Sequence, residues 1–283
     1  MIHPVYGGNK LLKLWPLISE DPDEVKSLGV ISMGGPHSNH LFSLAGLCFE
    51  KGIPLKVIMR GERPGEPSYV VSQIEEWGGE LHYVSRDEFR SWREKGDILA
   101  GRMTNALWVP EGGSDGSTND AFRYLINEWY EQGLETDHYL VLASGTGGTI
   151  SGMIPHFQEG QKLMVINAVP GFPIMEQIRK NCGKEVSNIQ IDVVETNDLG
   201  RFGKVSGDIS EFAWNWQKDY GVPLDPIYTS RIFYMLWQSL LNNPDKYNGT
   251  SFQVLHTGGM AGALSWEHKN ERMFIPPEIR QGI

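Results

Sequence analysis

Apolar and polar positions along this chain follow two periods, and the switches between them mark its elements. LGVISM (28–33) is a short continuous apolar run, the pattern of a strand buried on both faces. SNHLFSLAGLCFEKG follows at once, and its Leu41, Leu44, Ala45 and Cys48 fall at i, i+3, i+4 and i+7, one apolar face of a helix. Ser38 stands where an N-cap belongs and Gly52 where the helix should stop. LKVIMR (55–60) then predicts a strand, SYVVSQIEEWGG (68–79) a helix and ELHYVS (80–85) a strand. DEFRSWREKGDILAGR (87–102) predicts a helix despite Gly96, and ALWVP (106–110) another strand. STNDAFRYLINEWYEQG (117–133) opens on a capping residue and carries Phe122, Leu125, Ile126 and Trp129 on one face.

The alternation continues in the second half. HYLVLAS (138–144) and KLMVINAVP (162–170) predict strands, the first running into a glycine cluster. From about 174 to 220 the pattern is less regular, with a helix expected around SEFAWNWQKDYG. TSRIFYMLWQSLLNN (229–243) predicts a strongly apolar helix, and SFQVLHTGG (251–259) a strand that again ends in glycines. Such alternation, with near-continuous apolar strands, predicts an α/β fold of open parallel sheets.

Composition narrows the function. The 283 residues suffice for one large domain or two smaller ones, and 40% hydrophobic with 21% charged is an ordinary globular balance. A formal net charge of −10, with no run of Lys and Arg, argues against nucleic acid as a partner. The two cysteines, Cys48 and Cys182, form no CxxC pair, and Cys48 lies on an apolar helix face, so a buried free thiol is expected there. No apolar run approaches the roughly 20 residues of a membrane span, and no signal pattern opens the chain, so the expected compartment is the cytoplasm.

Four predicted strand ends carry small polar clusters: GGPHSNH (34–40), EGGSDGS (111–117), SGTGGTISG (144–152) and HTGG (256–259). In open parallel sheets ligands bind beyond the carboxyl ends of strands. SGTGGTISG offers convergent backbone N–H groups at a helix start, which suits a phosphate. It is neither a dinucleotide fingerprint, because Ile150 stands at the third glycine position, nor a P-loop, because Met153 follows Gly152. In GGPHSNH, His37 and His40 are three apart with no acidic or thiol partner, so no metal is expected; Ser38 and Asn39 at a helix start suit a carboxylate instead. No GxSxG motif or Ser–His–Asp order appears. A lysine after Gly-Gly-Asn together with a phosphate cup suggests a Schiff base with pyridoxal phosphate.

These motifs, GGNKLLKL (7–14), GGPHSNH, VPEGGS (109–114), SGTGGTISG, PIYTSR (226–231) and HTGG, occur in an order that resembles one family. It is the 1-aminocyclopropane-1-carboxylate deaminase and D-cysteine desulfhydrase family, within the fold type II, tryptophan-synthase-β-like, pyridoxal-phosphate enzymes. The resemblance implies two α/β domains: a large one of residues 1–31 with 121–283, and a small inserted one of residues 32–120. It implies that Lys10 bears the cofactor, with Lys13 an ordinary helix lysine. Asn39 would hydrogen-bond the ring hydroxyl, and Gly145, Thr146, Gly147, Gly148 and Thr149 would hold the phosphate. Thr257 would face the pyridine nitrogen. Lys10, Ser38 and Tyr228 would be catalytic, with Ser38, Asn39, His40 and Tyr228 facing a small amino-acid substrate. A homodimer is implied as well.

The implied activity is α-proton removal and β-elimination, giving a keto acid and ammonia. Deaminases of the family that open a cyclopropane carry a glutamate after the tyrosine of the PIYTSR-like motif; here that residue is Thr229, which favours the D-cysteine desulfhydrase-like side. Ser230 and Arg231 also depart from the family's glycine and lysine. A cyclopropane-opening deaminase stays open as an alternative. So does a non-catalytic protein that binds the cofactor or a phosphorylated metabolite, since only nine residues precede Lys10 where the family usually has more.

Overall fold

The structure is a computed structural model that describes residues 7–14, 22–103, 105–113, 119–145, 147–199, 205–225 and 228–270. It divides into two compact units, one from residues within 1–118 and 260–283, the other from 119–259.

The first unit holds a parallel sheet of β1 (Val30–Gly34), β2 (Leu55–Arg60), β3 (Glu80–Val84) and β4 (Leu107–Val109), in the order β3-β2-β1-β4. Val30 pairs with Leu55 on one side and with Leu107 on the other, so β1 is bonded along both edges. Side chains of a strand alternate between faces, and both faces here are covered. Val30, Val57 and Met59 join one cluster with α2 (Pro22–Leu28), α3 (Asn39–Lys51), α4 (Tyr69–Glu76) and α12 (Met260–Asn270). Ile31, Met33 and Ile58 face the other way, against Phe89 and Ala100 of α5 (Arg86–Met103). Coverage of both faces is why LGVISM reads as an unbroken apolar run.

Local signals behave as the residue types dictate. The Ser38 hydroxyl accepts from the Leu41 N–H, and Gly52 ends α3 in a left-handed conformation at φ 68°. Gly96, which sits in α5 where a helix former would be better, has a packing reason. A Cβ there would lie 2.1 Å from the Trp108 ring of β4. Cys48 is a buried free thiol, as its helical face predicts, and burial pushes its pKa up to about 12.

The second unit repeats the plan. Its sheet has the order β7-β6-β5-β8, from β5 (Tyr139–Ser144), β6 (Lys162–Asn167), β7 (Gln190–Glu195) and β8 (Phe252–Val254), all parallel. Helices α6 (Asn119–Glu131), α7 (Gly148–Met153), α8 (Ile174–Cys182), α9 (Gly207–Tyr220), α10 (Thr229–Asn242) and α11 (Pro244–Tyr247) accompany it. Two elements, α8 and β7, fall in the stretch that the periodicity left undefined. β7 is a half-buried edge strand, and QIDVVE lacks the apolar continuity that a central strand shows.

The division between units differs from the expected one. Residues 1–31 were expected with the second sheet, yet β1 begins at Val30 in the middle of the first. Short α1 (Asn9–Lys13) packs on α3, and α12 packs on α3 and α4, so both of these helices belong with the first sheet. The inserted segment is therefore 119–259, not 32–120.

Because the Trp108 ring fills the space a methyl group would need, Gly96→Ala is expected to destabilise the protein by about 1–3 kcal/mol, the usual range for overpacking. Urea unfolding followed by tryptophan fluorescence measures it; an unchanged midpoint would show that the ring moves aside freely.

Candidate active site

Each sheet reverses its order once. From β1 the chain steps to β2 and β3, then returns to the opposite side of β1 for β4; in the second sheet the same reversal lies between β5 and β8. At such a point adjacent loops part and leave room for a ligand. The loops leaving β1 and β4 carry GGPHSNH and the start of EGGSDGS, and those leaving β5 and β8 carry SGTGGTISG and HTGG. The four clusters thus fall at two switch points, one in each unit.

In the first unit Ser38 and Asn39 open α3, and Lys10 and Lys13 lie on α1, which packs on α3 and on the turn at Glu111–Gly113. Gly34 has a steric duty, since a Cβ there would lie 2.8 Å from Leu41 and 3.1 Å from the Ser38 Oγ. Among the described residues the Ser38 hydroxyl only accepts, so its hydrogen is left to donate. Asn39 Oδ1 is buried with no hydrogen-bond partner among them. A buried amide oxygen without a donor is costly, and a ring hydroxyl would supply one.

His40 is 3% exposed and its tautomer follows from its neighbours. The Ser32 hydroxyl donates to the Val109 carbonyl oxygen at 2.8 Å, so its oxygen must accept from His40 Nε2–H at 3.0 Å. Nδ1 is then a bare lone pair, buried and without a partner among the described residues. Burial, with the two lysines nearby, pushes the His40 pKa down to about 3, so the ring is neutral.

Lys10 is half-buried and Lys13 only 8% exposed, and no described residue forms a hydrogen bond or ion pair with either. Burial lowers the Lys10 pKa. Burial, and then repulsion from Lys10, bring Lys13 down to about 7. Lys13 is therefore not the ordinary helix lysine that the resemblance implied. Gly113, at φ 73°, makes room for this cluster: a Cβ there would lie 3.1 Å from the Lys13 Cβ and 3.4 Å from His40 Nδ1.

In the second unit the glycines of SGTGGTISG have separate duties. Gly147 takes φ 83° and caps α7, whose first N–H groups have no acceptor within the helix. A Cβ on Gly152 would meet the Phe122 ring at 2.6 Å, so this last glycine serves helix packing rather than a ligand. Ser144 Oγ, at the end of β5, is buried with no partner among the described residues. Gly145, Gly148 and Thr149 are placed around the same turn, and Thr146 lies outside the described residues.

Asp225 organises the rest. Its carboxylate accepts from the N–H groups of Tyr228 and Thr229 at 2.8 Å each, and from the Thr229 hydroxyl at 3.0 Å. A Cβ on Gly259 would lie 2.4 Å from Asp225 Oδ2, which is why HTGG ends in a glycine. His256 holds the same loop: Gly258 N–H donates to its Nδ1, so its Nε2–H donates to the Pro223 carbonyl at 2.9 Å. Thr257, 7% exposed, sits inside this clamp. The Tyr228 phenol is pushed above its usual range by burial and then by Asp225, so it stays protonated near neutral pH. Asp225 and His256 were not singled out from the sequence; an acid four residues before the first residue of α10 was the available signal for the first. Ser230 and Arg231, the positions that depart from the family pattern, are fully buried at the start of α10.

The comparisons with known proteins identify the family. The chain matches the family model "Pyridoxal-phosphate dependent enzyme" over residues 1–208. It belongs to that family. Among curated relatives it is similar to a putative 1-aminocyclopropane-1-carboxylate deaminase of Pyrococcus horikoshii, at 26% identity over 93% of this chain and 83% of that one. It is also similar to the bifunctional D-cysteine desulfhydrase/1-aminocyclopropane-1-carboxylate deaminase of Arabidopsis thaliana, at 24% identity over 90% of this chain and 69% of that one. In fold it resembles a crystal structure titled as an ACC deaminase homologue, with a TM-score of 0.71 at 20% identity, covering 98% of this chain and 85% of that one. Pyridoxal phosphate is the cofactor of this fold type II enzyme. Within the first unit the Asn39 oxygen and the Lys10 amine are of the kind its ring hydroxyl and aldehyde need, and within the second unit the glycine turn after β5 is of the kind a phosphate needs.

Lys13 carries a pH signature. Unfolded, its amine holds a proton up to about pH 10.5; folded, it releases the proton near 7. Between those values the unfolded state binds more protons, so stability climbs with pH across that window. Lys13→Met is expected to flatten the climb and to stabilise the cofactor-free protein at pH 6 by on the order of 1–4 kcal/mol, as when buried charges give way to apolar residues. Urea titrations at pH 6 and pH 9 check both; an equal slope in the variant would place the charge in solvent.

Proposed function

We propose that this enzyme takes the α-proton from a small amino acid and eliminates the β-substituent, releasing keto acid and ammonia in the manner of a D-cysteine desulfhydrase. One observation carries the choice: Thr229 is 1% exposed and its hydroxyl is bonded to Asp225 on both its donor and acceptor sides, so this position offers a substrate no acid. Opening a cyclopropane requires a proton delivered to a ring carbon, and the position that supplies a glutamate in such enzymes is occupied here by a spent threonine.

The cofactor, when bound, supplies an electron sink for negative charge at the substrate α-carbon. Lys10 holds it and, as a neutral amine, receives the α-proton at Nζ; the lowered pKa supports that role. The Asn39 amide takes the ring hydroxyl, and the N–H groups of the Gly145, Thr146, Gly147, Gly148 and Thr149 turn take the phosphate. Thr257 would face the ring nitrogen with a neutral hydroxyl, which would leave that nitrogen less protonated than a carboxylate would and so favour loss of the β-substituent. Ser38 donates its free hydrogen to the substrate carboxylate, with Asn39 and the neutral His40 ring behind it. Tyr228, held protonated, donates toward the substrate and cannot serve as a base near neutral pH.

The relatives named as putative 1-aminocyclopropane-1-carboxylate deaminases favour a second reading, the ring-opening reaction. We assign the working form as a homodimer in the cytoplasm, on the resemblance and on a cysteine pair, Cys48 and Cys182, that forms no CxxC motif; among the described residues no helix is long and apolar enough to cross a membrane.

A visible absorption band with added pyridoxal phosphate, and a pyridoxyl group fixed by borohydride on the Lys10 peptide, are expected. D-Cysteine and β-chloroalanine should yield keto acid, with release falling at least about 100-fold in Lys10→Ala. Keto acid from aminocyclopropane carboxylate alone would favour the second reading. A cofactor bound without any turnover would favour a binding role.

A further inference from the structure

Away from the switch point of the first sheet, the carboxyl ends of β2 and β3 open onto a different feature. Arg60 closes β2, and Arg86, Arg90 and Arg93 rise from the first two turns of α5. With Phe89 they line a cavity of about 400 Å³, a size that suits a small metabolite. The Phe89 ring is buried, and two guanidinium groups lie over it, Arg60 at 5.8 Å and Arg93 at 5.5 Å from its centroid. Neighbouring acids answer only part of this charge. Arg93 binds Glu111 through Nε at 2.9 Å and Nη2 at 2.6 Å, and Arg90 approaches Asp87 at 3.6 Å. Glu88 accepts from the Ser85 N–H and hydroxyl at the start of α5. Among the described residues the Arg60 and Arg86 side chains have no hydrogen bond and no ion pair. In a chain of net charge −10, this is a concentrated positive concavity.

Four like charges around one cavity repel, and the planar fork of each guanidinium matches carboxylate and phosphate oxygens. We propose that this arginine-lined cavity is a binding site for a small polyanion, a phosphate ester or a polycarboxylate, distinct from the cofactor and substrate site. Phe89 is its floor, Arg60 and Arg86 are its open donors, and Arg90 and Arg93 turn from Asp87 and Glu111 or share them with the ligand. The site borders the catalytic loop: a Cβ on Gly35 would lie 3.4 Å from Arg60 Nη2, and Gly35 leads directly to Ser38 and Asn39. A ligand that draws Arg60 inward thus alters the wall against which that loop rests.

Calorimetric titration of the holoenzyme with pyrophosphate and, separately, with citrate at fixed ionic strength tests this. With the cofactor in place, its phosphate site is filled. Saturable binding is expected for at least one probe, weakened at least about tenfold in the Arg60→Ala/Arg86→Ala double variant. Arg63→Ala, an exposed arginine paired with Glu75 elsewhere on this unit, should leave it unchanged. The cofactor absorption band and circular dichroism check that each variant is folded and loaded. Pyrophosphate alone would identify phosphate esters, and citrate alone polycarboxylates. No saturable heat with either probe, or equal binding in the folded double variant, overturns the proposal.

Discussion

A strand hydrogen-bonded along both edges and covered on both faces has one exit. It must leave its sheet at the carboxyl end, cross over through a helix and return parallel. β1 and β5 are such strands, each bonded to two neighbours and buried from end to end. Everything chemical in the two units follows from this constraint. The loops that leave β1 and β4, and those that leave β5 and β8, are forced to the same end of their sheets. The reversal of strand order beside β1 and β5 then leaves a gap where these loops part.

Close packing around those gaps makes the polar groups informative. Where the interior excludes water, an unpaired donor or acceptor costs free energy, so most buried groups are paired. The Ser32 hydroxyl links His40 to Val109, His256 links Gly258 to Pro223, and Asp225 gathers the start of α10. Against that background Asn39 Oδ1, His40 Nδ1 and Ser144 Oγ, near the switch points, are among the buried polar atoms without a partner in the described residues. The half-buried Lys10 amine and the buried Lys13 amine, on a five-residue helix and with no counter-charge among the described residues, belong to the same pattern. Such a cluster is held by the fold around it, because a helix this short has little stability of its own.

The two positive features of the first unit differ physically. Lys10 and Lys13 are drawn into an interior that lowers their proton affinity, which suits an amine that must lose its charge to react. The arginines at the end of β2 and the start of α5 are exposed, and the planar fork of each guanidinium suits recognition of an anion.

Periodicity alone located the central strands of both sheets and the helices α3 to α6, α9 and α10, because burial imprints a local apolar pattern. It located the caps of α3 for the same reason, since Ser38 and Gly52 act on atoms a few residues away. Motif order pointed to the family and to Lys10, Ser38, Asn39 and the glycine turn. The half-buried edge strand β7 left no such imprint. The allocation of α1 and α12 to the first sheet did not either, because they meet α3 across long stretches of chain. The same distance hid the reasons for Gly96, Gly113, Gly152 and Gly259, each shaped by a side chain remote in sequence. It also hid the burial of Lys13, the tautomer of His40 and the role of Asp225. Sequence determines what a residue can do with its near neighbours; desolvation, charge and close approach depend on partners that only the tertiary fold brings together.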